Sequence, residues 1–368
     1  MASTLLPKDR KAATASGSVE AVAAGASGKS GGKRVRGAGR SASKASAKSP
    51  PFIVEAVGKT DVGLVREGNE DALLIQPETG LYVVADGMGG HNCGEVASQF
   101  AIEAMLSFYG SEELTKKVTR AYKQLRATVP AEQRDASRHG LRLRKATESA
   151  NISVFRLSQQ HEALRDMGTT VVGCSVVGSR LYITNVGDSR LYRMRHGKLA
   201  QLTEDHSLVN EYVKMNMLRP EDVESFPYKN VIVRAVGLHE RVGVDITHAA
   251  LRVGDQILIC SDGLSDLVRD PEIERTMRDA PDIDAAADDL INLAKHRGGH
   301  DNITVLLLRC APVGAAAKPA TFLRLPPLAP TAPPPPPTGT APMIPPPPPG
   351  AAPVTPPPRG AALRAKKN

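Results

Sequence analysis

The 368-residue chain carries 47 Lys and Arg against 39 Asp and Glu, for a net charge of +8, and most of its 29 prolines lie near the C-terminal end. The positive excess sits on the two ends, +8 within residues 1–50 and +6 within 313–368, which leaves −6 on the stretch between them. A basic fold would point to nucleic acid, but this distribution removes that argument, and no window approaches the roughly 20 apolar residues of a membrane span.

Residues 1–50 are mostly Ala, Ser, Gly, Lys and Arg, and 313–368 hold the runs Pro333 to Pro337, Pro345 to Pro349 and Pro356 to Pro358. Neither end can bury enough apolar surface to offset its ordering entropy, so both are expected to be disordered tails. Residues 51–312 remain, ample for one core. Cys93, Cys174, Cys260 and Cys310 form no C-x-x-C pair, and three of them lie in apolar runs. Buried free thiols in a reducing compartment are therefore expected. The opening MASTLLPKDRKAA lacks an apolar segment of signal-peptide length, which places the expected monomer in the cytoplasm.

Along the chain, Phe52 to Val57, Ala72 to Ile75 and Leu81 to Ala85 read as strands, the last stopping at Asp86-Gly87. From Glu95 the apolar positions Val96, Phe100, Met105 and Phe108 recur at helical spacing up to Gly110. Residues 111–140 are strongly basic, the pattern of a solvated helix face. Leu143, Ala146, Ala150, Val154 and Leu157 predict a second long helix. Met167 to Gln201 reads as an antiparallel meander of four short strands, followed by a helix over Leu208 to Met215 and a proline-punctuated loop. Strands near Val231, over Asp245 to Ala250 and over Gln256 to Cys260, helices between Pro271 and His296, and a closing strand from Asn302 complete an α+β pattern.

The carboxylates carry the chemistry. Asp86 and Asp262 each follow an apolar strand and precede a helix, and Asp301 opens another strand. Like charges placed side by side in low dielectric repel unless something positive sits among them, so the three aspartates read as a cation site. Hard divalent cations such as Mg²⁺ and Mn²⁺ take oxygen ligands and keep several waters, and Asp188 and Asp266 could add to the set. Two such ions would activate a bridging water and clamp a phosphoryl oxygen. Arg66, whose planar fork suits phosphate oxygens, lies among Asp61, Glu70 and Asp71. Any one Asp-Gly is more often a turn, and a lone arginine more often solvated surface; the combination carries the reading.

At this level of detail the chain resembles the metal-dependent protein serine/threonine phosphatases of the PPM, or PP2C, family in the compact form common in bacteria. The motifs stand in order as TDVGLVREGNEDA (60–72), VVADGMGGHNCGEVAS (83–98), MGTTVV (167–172), NVGDSRLY (185–192), LTEDHSLVNE (202–211), NVIVRAVG (230–237), CSDGLSD (260–266) and GHDNITV (299–305). The resemblance implies two antiparallel sheets sandwiched between helix pairs. It implies that Asp86 and the Gly87 carbonyl hold two Mn²⁺ or Mg²⁺ ions with Asp262 and Asp301, that Glu70 and Asp71 hold waters of those ions, and that Arg66 holds the substrate phosphate. Asp188 and Asp266 would hold a weaker third ion, and 203–229 would form a mobile flap. The implied substrates are phosphoproteins, serine/threonine kinases and their targets among them. Many eukaryotic relatives place a proton-donating histidine where this chain has Met88, so the proton falls either to nearby His91 or to a metal-bound water.

Two decoys are set aside. Cys174 to Arg180 has the C-x5-R spacing of cysteine-based phosphatases, but both flanks alternate like strands and no helix follows. Gly28-Lys29-Ser30 ends like a phosphate-binding loop, yet the required first glycine falls at Ala23. The rival functions are a catalytically weak family member acting as a scaffold, which loss of a metal aspartate would favour, and a role residing in the tails, whose proline runs could bind SH3-like or WW-like partners.

Overall fold

Leu81 to Ala85 is apolar at every residue because the sheet that contains it is covered on both faces. In the computed structural model, which describes residues 52–89, 93–228 and 231–314, the strands are β1 (Phe52–Asp61), β2 (Asp71–Gln76), β3 (Leu81–Met88), β4 (Gly168–Thr169), β5 (Val171–Val177), β6 (Arg180–Val186), β7 (Arg190–Arg195), β8 (Lys198–Gln201), β9 (Asp245–Ala250), β10 (Gln256–Cys260) and β11 (Ile303–Pro312). The helices are α1 (Cys93–Gly110), α2 (Glu112–Leu125), α3 (Arg134–Gln160), α4 (Leu208–Lys214), α5 (Asp262–Ser265), α6 (Asp270–Asp279) and α7 (Ile283–His296). The expectations placed on the two tails and on His91 fall outside the described residues.

One sheet runs β1-β11-β10-β7-β8 and the other β2-β3-β5-β6-β9, with β4 paired to β3, and the paired strands are antiparallel. Leu73, Ile75, Tyr82 and Val84 meet Ile257, Ile259, Leu306 and Leu308 between the sheets. The opposite faces pack against helices: Leu74, Leu81, Val83 and Ala85 against α1 and α3, and Leu258, Cys260, Val305 and Leu307 against α6 and α7. This is the expected helix–sheet–sheet–helix sandwich. All four cysteines are buried, as expected.

Four expectations need correction. β3 does not stop at Asp86 but runs on, because Gly87 and Met88 find partners in Thr169 and Gly168 of β4. The stretch 167–201 is not one meander: β6 and β7 belong to different sheets, and the chain crosses between them at Gly187, whose φ of 115° suits a residue without a side chain. Among the described residues no strand forms near Val231, where Ile232 makes an isolated bridge to Ser207. α3 begins at Arg134, about two turns before its first predicted apolar position. The basic segment does form a solvated helix face, α2, with Lys116 paired to Glu112 at 2.9 Å and Lys117 to Glu113 at 2.7 Å. Among the described residues, no helix is long and apolar enough to cross a membrane.

Candidate active site

Asp71, Asp86, Asp188, Asp262 and Asp301 sit at or beside strand ends, which the two sheets bring to one mouth of the sandwich, and Asp266 follows α5. Asp71 opens β2 and lies opposite Asp86 of β3 in register. Asp262 follows β10 as the first residue of α5, Asp301 precedes β11, and Asp188 sits at the crossing between the sheets. The Asp86 and Asp262 carboxyl groups are in hydrogen-bond contact, with Asp71 and Asp188 close enough to repel Asp86. Asp188, Asp262 and Asp266 line one cavity of about 250 Å³ together with Val209 and Val223 of the predicted flap.

Electrostatics shows what this arrangement costs. Burial, followed by the charges of Asp262 and Asp301, pushes Asp71 up to about 8. Asp262 is pushed up to about 6 by burial and then by Asp266 and Asp301. Asp86 and Asp188 lie well above the usual carboxylate range, again through burial first and Asp262 second. Asp86 and Asp262 keep a partly open face to solvent although protein packs densely around them, which leaves an entry path. Asp71 and Asp188 each hold one buried carboxylate oxygen, Oδ1, with no partner.

Hard oxygen donors, orphaned buried Oδ1 atoms and mutual repulsion fit a pair of divalent cations. Among the described residues no three acidic, His or Cys side chains already close as a ligand group, so the fit rests on these properties. Protons and cations compete for the same oxygens. The folded, cation-free protein holds protons on groups whose ordinary value is 3.8, so what these two groups contribute to stability is greatest below that value and is lost as pH rises through about 6 to 8. Cation affinity therefore rises with pH over that range, by up to ~10-fold per pH unit for each proton displaced. Calorimetric Mn²⁺ titrations at pH 6, 7 and 8 check this, and a flat affinity would contradict it.

Arg66 is half exposed at the rim, and its Nη2 donates to Asp301 Oδ2 at 2.7 Å. Its loop is pinned by Asn302, whose Nδ2 donates to the carbonyls of Val62 and Gly68 at 2.9 Å each and whose Oδ1 accepts from the Glu70 N–H at 2.8 Å. Glu70 is raised by burial and held down by Arg66, and its carboxylate accepts from the Gly94 N–H. Asn302→Ala strands three backbone groups and is expected to cost about 3 kcal/mol in urea unfolding and to raise KM through the loosened Arg66 loop.

Reading the sequence by roles missed Asn302, Thr169, Thr170, Ser261 and His206, all inside quoted motifs. Thr170 Oγ1 accepts from the Asp86 N–H at 3.0 Å, and Thr169 Oγ1 donates to the Asp86 carbonyl at 2.9 Å. Ser261 Oγ donates to Asp71 Oδ2 at 2.8 Å. His206 is fully buried; its N–H donates to the Gly187 carbonyl at 2.9 Å, and its Nδ1 accepts from the Gly187 N–H at 3.0 Å, leaving Nε2–H to donate to Asp245 at 3.1 Å. That clamp fixes the crossing that carries Asp188. The motif positions were the signal; their partners come from distant strands and are invisible in one dimension.

The family described as protein phosphatase 2C matches residues 65–304. A serine/threonine phosphatase of Listeria monocytogenes is 35% identical over 253 residues, covering 68% of this chain and 93% of that protein. The crystal structure of the Mycobacterium tuberculosis serine/threonine phosphatase PstP is similar with a TM-score of 0.61 at 33% identity, over 71% of this chain and all of that one. The PstP catalytic domain in complex with two manganese ions has a TM-score of 0.59 at 32% identity, covering 71% of this chain and 99% of that one. The chain belongs to the protein phosphatase 2C family.

Proposed function

We infer that this chain is a protein serine/threonine phosphatase that hydrolyses phosphoserine and phosphothreonine in proteins with Mn²⁺ or Mg²⁺ as cofactor. The observation that carries the reading is the set of mutually repelling carboxylates gathered beside Arg66. Asp86, the Gly87 carbonyl, Asp262 and Asp301 would hold two cations, and Asp188 with Asp266 a third, weaker one. Such cations would supply positive charge that polarises the phosphoryl group and acidifies the attacking water. Glu70 and Asp71 orient water by accepting hydrogen bonds. Arg66 leaves Asp301 to grip two phosphate oxygens, which sets the ester in line for attack. His91 or water protonates the leaving alkoxide.

Residues 51–312 form the phosphatase domain, active as a monomer in the cytoplasm and acting on serine/threonine kinases and their targets. The proline-rich end offers segments for aromatic-lined partner grooves. The scaffold alternative needs a missing metal aspartate, and none is missing. The test is phosphate release from a phosphothreonine peptide by the full chain, with Mn²⁺ and with EDTA. Turnover only with Mn²⁺ is expected; no turnover by the folded, Mn²⁺-loaded chain would overturn the reading.

A further inference from the structure

Leu64 and Val65, directly before Arg66, are 62% and 64% exposed. Such exposure is ordinary for a single apolar side chain on a loose loop, but here two adjacent ones stand on a loop that is fastened. The Leu64 N–H donates to the Gly299 carbonyl at 2.8 Å, the Gly63 N–H donates to Asp61 Oδ1 at 2.9 Å, and Asn302 holds the Val62 carbonyl. Gly63, at φ 82°, packs so close to the Asp301 and Gly299 carbonyls that no side chain fits there. The loop is thus built to present Leu64 and Val65 at a fixed place beside the arginine.

We propose that Leu64 and Val65 form an apolar platform for the substrate side chain flanking the phosphorylated residue, so that the enzyme prefers phosphopeptides with an apolar neighbour next to the phosphothreonine. The inference rests on Arg66 as the phosphate-binding group. Consecutive Cα atoms lie about 3.8 Å apart, so a phosphate gripped by Arg66 puts the residues one or two places away within reach of the two preceding side chains. The neighbouring charges, Glu67, Glu70 and Asp301, would repel an acidic neighbour, whereas an apolar one loses contact with water on the platform.

The experiment uses the full chain with Mn²⁺ and three substrates: a phosphothreonine peptide with leucine on both sides, the same peptide with serine on both sides, and p-nitrophenyl phosphate, which has no flanking residues. The wild type is expected to show a KM about fivefold lower for the leucine peptide, an effect of ~1 kcal/mol. In the double variant Leu64→Ser, Val65→Ser that ratio falls to about one, with kcat and the p-nitrophenyl phosphate KM unchanged. A variant that keeps the wild-type ratio, or a wild type with no preference, overturns the platform. Loss of p-nitrophenyl phosphate turnover in the variant also overturns it, since the pair would then act only by holding the loop. Arg66→Ala separates the two readings. It should raise KM for all three substrates alike; an unchanged p-nitrophenyl phosphate KM would remove the phosphate from Arg66 and the inference with it.

Discussion

Asp262→Asn is expected to lower phosphatase kcat by a factor of ~10²–10³ and, with no cation present, to make the protein more stable. The two effects share one cause. Asp262 stands near Asp266 and Asp301, and burial with their charges holds it at about 6 instead of 3.8, although a hydrogen bond from Asp86 pulls it down. Near pH 7.5 the folded protein must therefore carry it ionised at a cost of up to about 3 kcal/mol relative to the unfolded chain. Asparagine removes that charge and relieves Asp86, Asp71 and Asp188, each of which Asp262 repels. The same substitution removes an anionic oxygen from the cation site. Thermal unfolding in EDTA should show the variant melting above the wild type, and Mn²⁺ should reverse the order. A variant less stable than wild type in EDTA would mean that the cluster is not the source of strain inferred from its burial.

Gly87→Ala should lower both properties. A Cβ at this position would overlap the Gly94 carbonyl oxygen and come within 2.6 Å of the Glu70 carbonyl oxygen, both of them backbone atoms held in place. The Glu70 carbonyl already accepts from the Gly87 N–H at 3.1 Å and from Ser98 Oγ at 2.6 Å. Relief therefore requires the end of β3 or the first turn of α1 to move, at a cost of ~3 kcal/mol or more. That movement displaces Asp86 and the Gly87 carbonyl together. Mn²⁺ calorimetry should show loss of binding, and urea unfolding in EDTA a lower midpoint than wild type. The pair of variants thus separates charge from shape: both lose activity, with stabilities shifted in opposite directions.

Much of the fold was legible because both faces of each sheet are covered. Runs such as Leu81 to Ala85 and Val305 to Leu308 are apolar throughout and cannot be mistaken for surface. The site aspartates were legible because each interrupts or borders such a run. What the sequence concealed depends on partners far along the chain. Gly87 and Met88 extend β3 only because Thr169 and Gly168 arrive beside them. The strands on either side of Gly187 look continuous until their separate partners, β9 for β6 and β10 for β7, draw them into different sheets. Asn302 and His206 read as ordinary polar residues until the carbonyls they hold come within reach.

The four buried thiols have a use that none of their surroundings suggests. Cys93 is the first residue of α1 and belongs to the apolar layer that α1 and α3 cover, Cys174 and Cys310 lie between the sheets, and Cys260 lies under the other helix pair. Each layer of the sandwich therefore carries its own chemical clock. Burial raises all four thiols, Cys260 and Cys310 to about 12, so a reagent that needs the thiolate reacts only when a layer opens. The order in which a mass spectrometer finds them modified is the order in which the layers come apart.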